Sequence, residues 1–207
     1  MTSEHRGPYQ PALDKARGEL RRLDPLLVAF KSGATWVPEG EVAGLNLVYW
    51  GCPVRVCWPT GNVMAPADEV LSVASHLILL HYLVTADGTP PADRWLSFRD
   101  LPDGRVYDAA FRQRACRPLE RALGARVEAF RAASERLGGQ RLTFGDASFM
   151  FQVLPRVRVA VILHAGDDEF PAEATMLFDA SLRHYLPIED VAVLGGLVAG
   201  ELVRARG

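Results

Sequence analysis

Acidic and histidine side chains concentrate in the last third of the sequence, where predicted elements end. The apolar run 157–163 is followed directly by an acidic segment, and a second polar block begins near residue 179. The residues in these two blocks that are able to do chemistry are His164, Asp167, Asp168, Glu169, Asp179, His184, Glu189 and Asp190. Titratable groups that converge beside a buried strand are typical of functional sites. We therefore expect a site in this region.

Two kinds of chemistry fit these residue types. Clustered carboxylates hold hard cations through oxygen ligands, which makes Asp168 and Glu169 candidate metal ligands. Asp179 and His184 are candidate catalytic residues, either as an acid–base pair or as a carboxylate that orients an imidazole. The alternative is a solvated connection whose carboxylates close turns and complement the dipole of the last helix. The sequence alone leaves both interpretations open.

A further histidine lies on the most apolar segment of the chain. Residues 70–84 are apolar almost all round, which is typical of a helix that is buried between layers. His81 is interpreted as a core histidine with a hydrogen-bonding neighbour, or as a residue that lines a ligand pocket. His76 lies five positions earlier, about 140° away around the helix, so the two cannot chelate one ion.

Several common catalytic and nucleotide-binding motifs are absent. The sequence has no phosphate-binding loop, dinucleotide fingerprint, zinc-protease motif or serine-hydrolase elbow. Cys52, Cys57 and Cys116 form no familiar metal-ligand pattern. The odd number of cysteines and a polar N-terminus without an apolar signal region predict a cytoplasmic protein. The longest apolar stretch is too short and too interrupted for a membrane span, so no membrane association is expected.

The distribution of charge predicts a different kind of partner. The formal net charge of −2 argues against nucleic-acid binding. Residues 94–141, however, hold eleven arginines against six acidic residues. This Arg-rich segment is interpreted either as solvated helix faces or as a surface that binds an acidic protein partner. In the second case the association should weaken steeply as salt is raised.

The order of predicted elements favours an α+β fold. In chain order they are a helix over 9–31 split or kinked at Pro25, a β-meander over 45–58, a buried helix from Pro66 to about Val84, helices over 107–137, strands over 148–154, 157–164 and 174–178, and a final helix from about Pro187. Strands come in local groups instead of alternating with helices. We therefore expect a mainly antiparallel sheet packed against a buried central helix and flanking helices.

The length and composition predict one folded domain over residues 1–207. The chain is 49% hydrophobic and 23% charged, which is usual for a protein with a sizeable core. The only subdivision that the pattern indicates is a subsidiary helical lobe over residues 105–140. No internal repeat and no low-complexity linker interrupts the sequence.

Four ordered blocks of the sequence carry a family resemblance. They are residues 79–90, 95–104, 166–171 and 177–190. Together they resemble an uncharacterised prokaryotic family, the domain of unknown function DUF3786, over about residues 10–200. The family occurs mostly in anaerobes, and some relatives carry an added iron–sulfur-type cysteine domain. The resemblance implies a link to redox or metallocofactor metabolism, such as corrinoid or tetrapyrrole chemistry, but it supplies no catalytic residues.

Three hypotheses for the function follow. The first is an accessory protein that binds a small molecule or a metallocofactor of unknown identity. Its expected ligand-binding residues are His81, Asp167, Asp168, Glu169, Asp179 and His184. The second is a small-molecule enzyme with an Asp179–His184 acid–base pair, with or without a divalent ion held by Asp168 and Glu169. The third is a protein-interaction module that uses the Arg-rich segment.

Overall fold

The computed structural model describes residues 9–38 and 42–206, so the polar N-terminal segment lies outside the described residues. The contacts divide the chain into two compact units. The first extends to Thr89 and includes His184–Leu186, and the second comprises Pro90–Arg183 and the chain from Pro187 onwards. The strand pairs of the described residues are antiparallel, which confirms the predicted α+β class. A single domain over 1–207 stays a prediction.

The first unit contains a four-stranded sheet with the strand order β1-β2-β3-β4. Its strands are β1 Thr35–Val37, β2 Gly44–Tyr49, β3 Cys52–Cys57 and β4 Val63–Met64. Leu45 and Val56 face each other across β2 and β3 and are both 0% exposed. On the opposite face, Arg55 Nε donates a 2.8 Å hydrogen bond to Asn46 Oδ1. This alternation of buried and polar positions confirms the predicted meander.

Three helices belong to the first unit, namely α1 Gln10–Leu20, α2 Pro25–Ser32 and α3 Val73–Thr85. The predicted helix over 9–31 is split as expected. Asp24 Oδ1 accepts hydrogen bonds from the amides of Leu26 and Leu27, and Pro25 occupies the first helical position. α2 ends at Gly33, which adopts the left-handed conformation with φ 73°.

Helix α3 is the buried helix of the first unit, but it begins later than the sequence pattern predicts. Its N-cap is Ser72, whose Oγ accepts a 3.1 Å hydrogen bond from the amide of Ser75. Pro66 does not start the helix, and Val70 is 95% exposed. A serine that satisfies a helix amide outweighs the preference of proline for the first turn. The predicted burial is confirmed for Ile78, Leu79, Leu80, Tyr82 and Leu83.

The second unit contains a five-stranded sheet with the order β5-β9-β8-β7-β6. Its strands are β5 Trp95–Ser97, β6 Gln140–Arg141, β7 Ala147–Leu154, β8 Val157–His164 and β9 Glu173–Asp179. The three strands predicted between residues 148 and 178 are confirmed as β7, β8 and β9. Ala160 and Val161 point to opposite faces of β8 and are both 0% exposed, so this central strand is buried on both sides.

Helices cover one face of this second sheet. They are α4 Gly104–Phe111, α5 Arg117–Leu123, α6 Val127–Arg136 and α7 Ile188–Arg204, with a π-helical turn Arg112–Cys116 between α4 and α5. Phe111 stacks on Phe98 with a centroid distance of 4.1 Å and meets Phe178 of β9 edge-on at 5.9 Å. The Phe111 ring packs directly against Gly195 of α7. A Cβ atom on Gly195 would lie 2.4 Å from the nearest carbon of this ring. None of the helices in the described ranges is long and apolar enough to cross a membrane.

Candidate functional site

The two polar blocks of the last third lie at opposite ends of strand β9. The acidic segment Asp167–Glu169 precedes the first residue of the strand, Glu173, whereas Asp179 is the last. His164 ends β8 and pairs with Glu173, so it lies at the acidic end. A strand of seven residues at about 3.3 Å per residue separates the two ends by about 20 Å. The carboxylates of the two blocks therefore do not form one cluster.

The acidic segment is a tight turn that Asp167 closes. Asp167 Oδ1 accepts hydrogen bonds of 2.7 Å from the amide of Phe170 and 2.9 Å from that of Glu169. The amide of Asp167 donates back to the carbonyl of Phe170 at 2.9 Å. The hydrogen bonds from Phe170 and Glu169 hold the pKa of Asp167 below its ordinary value. Asp168 and Glu169 form the exposed tip. This geometry matches the alternative interpretation of the sequence, a solvated connection in which a carboxylate closes a turn.

This turn is anchored to the rest of the second unit at its base. The amide of Gly166 donates to the carbonyl of Gly124 at the end of α5, at 3.3 Å. The amide of Ala165 donates to Asp146 Oδ2 at 2.8 Å. Gly124 also lies close to Ala172, because a Cβ at Gly124 would be 2.3 Å from the Ala172 methyl group. The base of the turn is therefore held by hydrogen bonds of its backbone amides to the rest of the unit, while its tip faces solvent.

Asp179 is a buried carboxylate that joins two neighbouring chain segments. It is 2% exposed, and its Oδ1 accepts hydrogen bonds from the amide of Ala92 at 2.8 Å and from the amide and hydroxyl of Ser181 at 2.9 and 2.7 Å. Burial raises the pKa of Asp179, but the hydrogen bonds from Ser181 and Ala92 outweigh it and leave this pKa below the ordinary value. Asp179 thus ties the segment before β5 to the turn after β9.

His184 belongs to the first unit, where its partner is Asp87. His184 Nδ1 lies 2.6 Å from Asp87 Oδ2, and Asp87 Oδ1 accepts a 2.8 Å hydrogen bond from the amide of Thr89. The contacts with Thr89, together with His184, lower the pKa of Asp87 to about 2. Next to this pair, Thr85 Oγ1 donates to the carbonyl of Tyr185, and the Tyr185 hydroxyl donates to the carbonyl of Thr89.

Sequence reasoning missed Asp87. The signal that could have identified it is the Asp87-Gly88-Thr89 tripeptide that follows α3. An aspartate two residues before a backbone amide commonly forms a hydrogen bond with that amide, as Asp87 does with Thr89. No pattern in the sequence shows that a histidine 97 positions later completes the pair.

The six predicted ligand-binding residues are divided between the two units. His81, on α3, and His184 belong to the first unit. Those in the second unit are Asp167, Asp168, Glu169 and Asp179. In the part of the chain that the structure describes, no three His, Cys, Asp or Glu side chains form a group able to hold a metal ion. Ligand binding by these residues, and metal binding by Asp168 and Glu169, stay predictions.

The Arg-rich segment, residues 94–141, contains paired and unpaired arginines. Those within 4.0 Å of a carboxylate are Arg112, Arg117, Arg131 and Arg141. Seven others are exposed and form no ion pair with any described residue, namely Arg94, Arg99, Arg105, Arg114, Arg121, Arg126 and Arg136. The guanidinium groups of these unpaired arginines are therefore available to a partner.

Glu120 is a largely buried carboxylate of the Arg-rich segment. Its side chain is 7% exposed and accepts a 2.9 Å hydrogen bond from Arg117 Nη1. Glu120 Oε1 also accepts from the amide of Ala174 at 3.3 Å and lies 3.9 Å from Arg112 Nη2. Glu120 therefore joins α5, the π-helical turn and the start of β9, which supports the end of the sheet beside the acidic turn.

Helix α4 places exposed apolar side chains among the unpaired arginines. Val106 is 81% exposed and Tyr107 is 43% exposed. With the unpaired arginines on α4 and on the turns that flank it, they form what we call the α4 surface: Arg99, Arg105, Val106, Tyr107 and Arg114. Arginine and tyrosine are enriched at protein interfaces. Sequence reasoning found the charge of this segment but missed its exposed apolar residues, since composition does not show which side chains of a short helix are exposed.

A family model matches the chain over residues 24–201. The chain belongs to the family described as Domain of unknown function (DUF3786). This match confirms the resemblance carried by the four sequence blocks, and it includes every predicted site residue as well as the α4 surface of this DUF3786 protein. No curated protein and no solved structure matches the chain.

Proposed function

We propose that this DUF3786 chain is a cytoplasmic accessory protein that binds an acidic protein partner through the α4 surface. The observation that supports the proposal is the exposure of Val106 and Tyr107 among arginines that form no ion pair with a described residue. Singly exposed apolar residues are ordinary, but two consecutive ones on a short helix with unpaired arginines on it and on its flanking turns have the composition of an interface.

The chemistry of the α4 surface favours an acidic protein over other partners. A guanidinium presents several donors in a fixed plane and pairs with carboxylates in a bidentate geometry. Arg105 directly precedes Val106 and Tyr107 on α4, and Arg114 follows in the π-helical turn, so a partner that covers these exposed side chains would meet both apolar and guanidinium groups. In such an interface the charges increase the rate of association, whereas burial of the apolar side chains supplies most of the affinity.

The hydrogen bonds of the candidate chemical residues give less support to the other two hypotheses. Asp167 and Asp179 accept backbone amide hydrogen bonds, and His184 contacts Asp87. A ligand that used these atoms would have to replace hydrogen bonds that the fold already makes. The binding of a small molecule or metallocofactor and an Asp179–His184 enzyme both stay predictions.

The proposal is tested by recovering the protein with its partners from cells that express it natively. We expect an acidic partner to be retained by the wild-type chain at low salt and released as salt is raised. Charge reversal by Arg105→Glu with Arg114→Glu should remove this partner, and Val106→Asp should do the same. The matched control is Arg121→Glu with Arg126→Glu, which changes the charge equally outside the α4 surface. Loss of the partner in both double variants, or salt-independent retention, would contradict the proposal.

A further inference from the structure

A second exposed apolar surface lies on α2 of the first unit. One side of this helix is directed inward through Val28 and Ala29, which are 4% and 7% exposed. The other side and the preceding turn expose four large apolar side chains, which we call the α2 face. Its members, with their exposed fractions, are Leu23 (39%), Leu26 (65%), Leu27 (50%) and Phe30 (77%). The helical spacing of Leu26, Leu27 and Phe30 places these three on one stripe of α2, and Leu23 lies in the turn before the helix.

Basic side chains border the α2 face at both ends. Arg21 and Arg22 precede it and are exposed, and Lys31 follows it. The nearby Asp24 carboxylate is engaged with two amides of the helix itself. If two α2 faces packed antiparallel, the arginines of one copy would approach Lys31 of the other, and like charges would oppose the contact. The border therefore favours an occupant that is acidic as well as apolar.

The same chain exposes a segment with that chemistry. Phe170 is 66% exposed and directly follows the carboxylates of Asp168 and Glu169 at the tip of the acidic turn. The hydrogen bond from the amide of Phe170 to Asp167 and the one from Gly166 to the end of α5 fix the backbone of this turn. The backbone that carries this aromatic side chain therefore has little conformational freedom to lose on binding.

We propose that the α2 face binds the acidic turn of a second copy of this chain. Phe170 of one copy packs on the apolar side chains of α2 in the other, and the carboxylates beside it face Arg21 and Arg22. The contact joins two different surfaces, so each dimer retains one unused surface of each kind and assembly continues into a ring or a chain. None of the residues of the α4 surface takes part, so that self-association and partner binding are separate properties.

Two variants that each disable one side of the contact test the proposal. Leu26→Asp removes the α2 face and keeps the acidic turn, whereas Phe170→Ser removes the aromatic side chain and keeps the α2 face. Sedimentation velocity over a wide range of protein concentration should show self-association for wild type, weakened at high salt. Each variant alone should associate at least about tenfold more weakly. An equimolar mixture of the two should form a one-to-one dimer, because one working surface of each kind remains.

The controls separate this contact from other modes of association. Val70→Asp changes an even more exposed apolar residue of the first unit outside the α2 face and should leave self-association unchanged. The three substituted side chains, Leu26, Phe170 and Val70, are all exposed, so the variants should keep the wild-type circular dichroism spectrum. A wild-type chain that stays monomeric at every concentration would overturn the proposal. So would a single variant that dimerises by itself as tightly as wild type, a mixture that does not dimerise, or an effect of Val70→Asp equal to that of Leu26→Asp.

Discussion

The Nδ1 atom of His184 lies 2.6 Å from the Oδ2 atom of Asp87, at the C-terminal end of α3. The two residues are 97 positions apart in the sequence, yet both belong to the first unit. The neighbouring residue Tyr185 also lies against α3, with its ring centroid 5.7 Å from that of Tyr82. The His184–Asp87 pair therefore helps to hold a distant segment of the chain against α3.

Asp87→Asn should weaken this contact, and the effect should depend on pH. The pKa of Asp87 is lowered from 3.8 to about 2. The ionised carboxylate therefore stabilises the fold fully at pH values above the ordinary pKa of an aspartate. This contribution is lost as the pH falls from about 4 through about 2. At neutral pH we expect a loss below about 1 kcal/mol, because the pair is partly exposed and screened. Urea unfolding of wild type and Asp87→Asn across this pH range measures the difference.

The matched control for Asp87 is Asp68→Asn, which changes an exposed aspartate of the same unit. It should leave the unfolding midpoint unchanged at neutral pH. A difference between wild type and Asp87→Asn that stayed constant down to the acid limit would contradict the role given to the ionised carboxylate.

Asp179→Ala should destabilise the second unit, because three hydrogen bonds from buried or half-buried donors lose their acceptor. We expect a loss of about 2–4 kcal/mol in the free energy of unfolding. Asp179→Asn keeps one acceptor oxygen and should lose less. Since the folded-state pKa of Asp179 is lowered, its contribution is present at neutral pH and is lost on acidification. If urea unfolding gave Asp179→Ala the stability of wild type, these hydrogen bonds would make no net contribution to the free energy of unfolding.

Glu120 and Glu128 offer a comparison of a buried and an exposed ion pair in one unit. Both carboxylates accept from an arginine three positions away, but their side chains are 7% and 82% exposed. Glu120→Ala should cost about 1–3 kcal/mol, since the amide of Ala174 and two arginines lose a partner. Glu128→Ala should cost less than about 0.5 kcal/mol. Thermal unfolding of both variants measures the contrast, and equal losses would refute it.

Asp167→Ala should loosen the acidic turn without unfolding the unit. The amides of Glu169 and Phe170 lose their shared acceptor, and the amide of Phe170 should then exchange with solvent about fivefold faster. Hydrogen exchange followed by mass spectrometry resolves this segment. Asp168→Ala removes a tip carboxylate that accepts none of these hydrogen bonds. In that variant the amide of Phe170 should exchange at the wild-type rate. Unchanged exchange in Asp167→Ala would exclude the turn-closing role.

Most helices and strands of the fold could be predicted from the sequence, because their bounds follow from the preferences of nearby residues. The break at Pro25, the left-handed Gly33 and the strands on both sides of Pro155 all follow from residue-level preferences. The start of α3 was predicted too early, because Pro66 and two acidic residues resemble a first turn as closely as the Ser72 cap does. The choice between such signals depends on packing, which the sequence does not display.

The geometry of the candidate site could not be predicted in the same way. The acidic turn and Asp179 are 12 positions apart in the sequence, yet a full-length strand separates them. His184 is five positions from Asp179, but the carboxylate it contacts at 2.6 Å is Asp87. Proximity in sequence indicated one cluster, whereas the direction of β9 and the long-range contact of His184 distribute these residues over different parts of the fold.

Native mass spectrometry of the protein recovered anaerobically from its own cells, combined with absorbance and elemental analysis, tests the central claim most directly. We expect a complex with an acidic protein that dissociates as salt is raised and that is missing for Arg105→Glu with Arg114→Glu. A stoichiometric chromophore, metal ion or small molecule on the bare chain, with no protein partner, would contradict the account. That result would instead support the binding of a small molecule or metallocofactor.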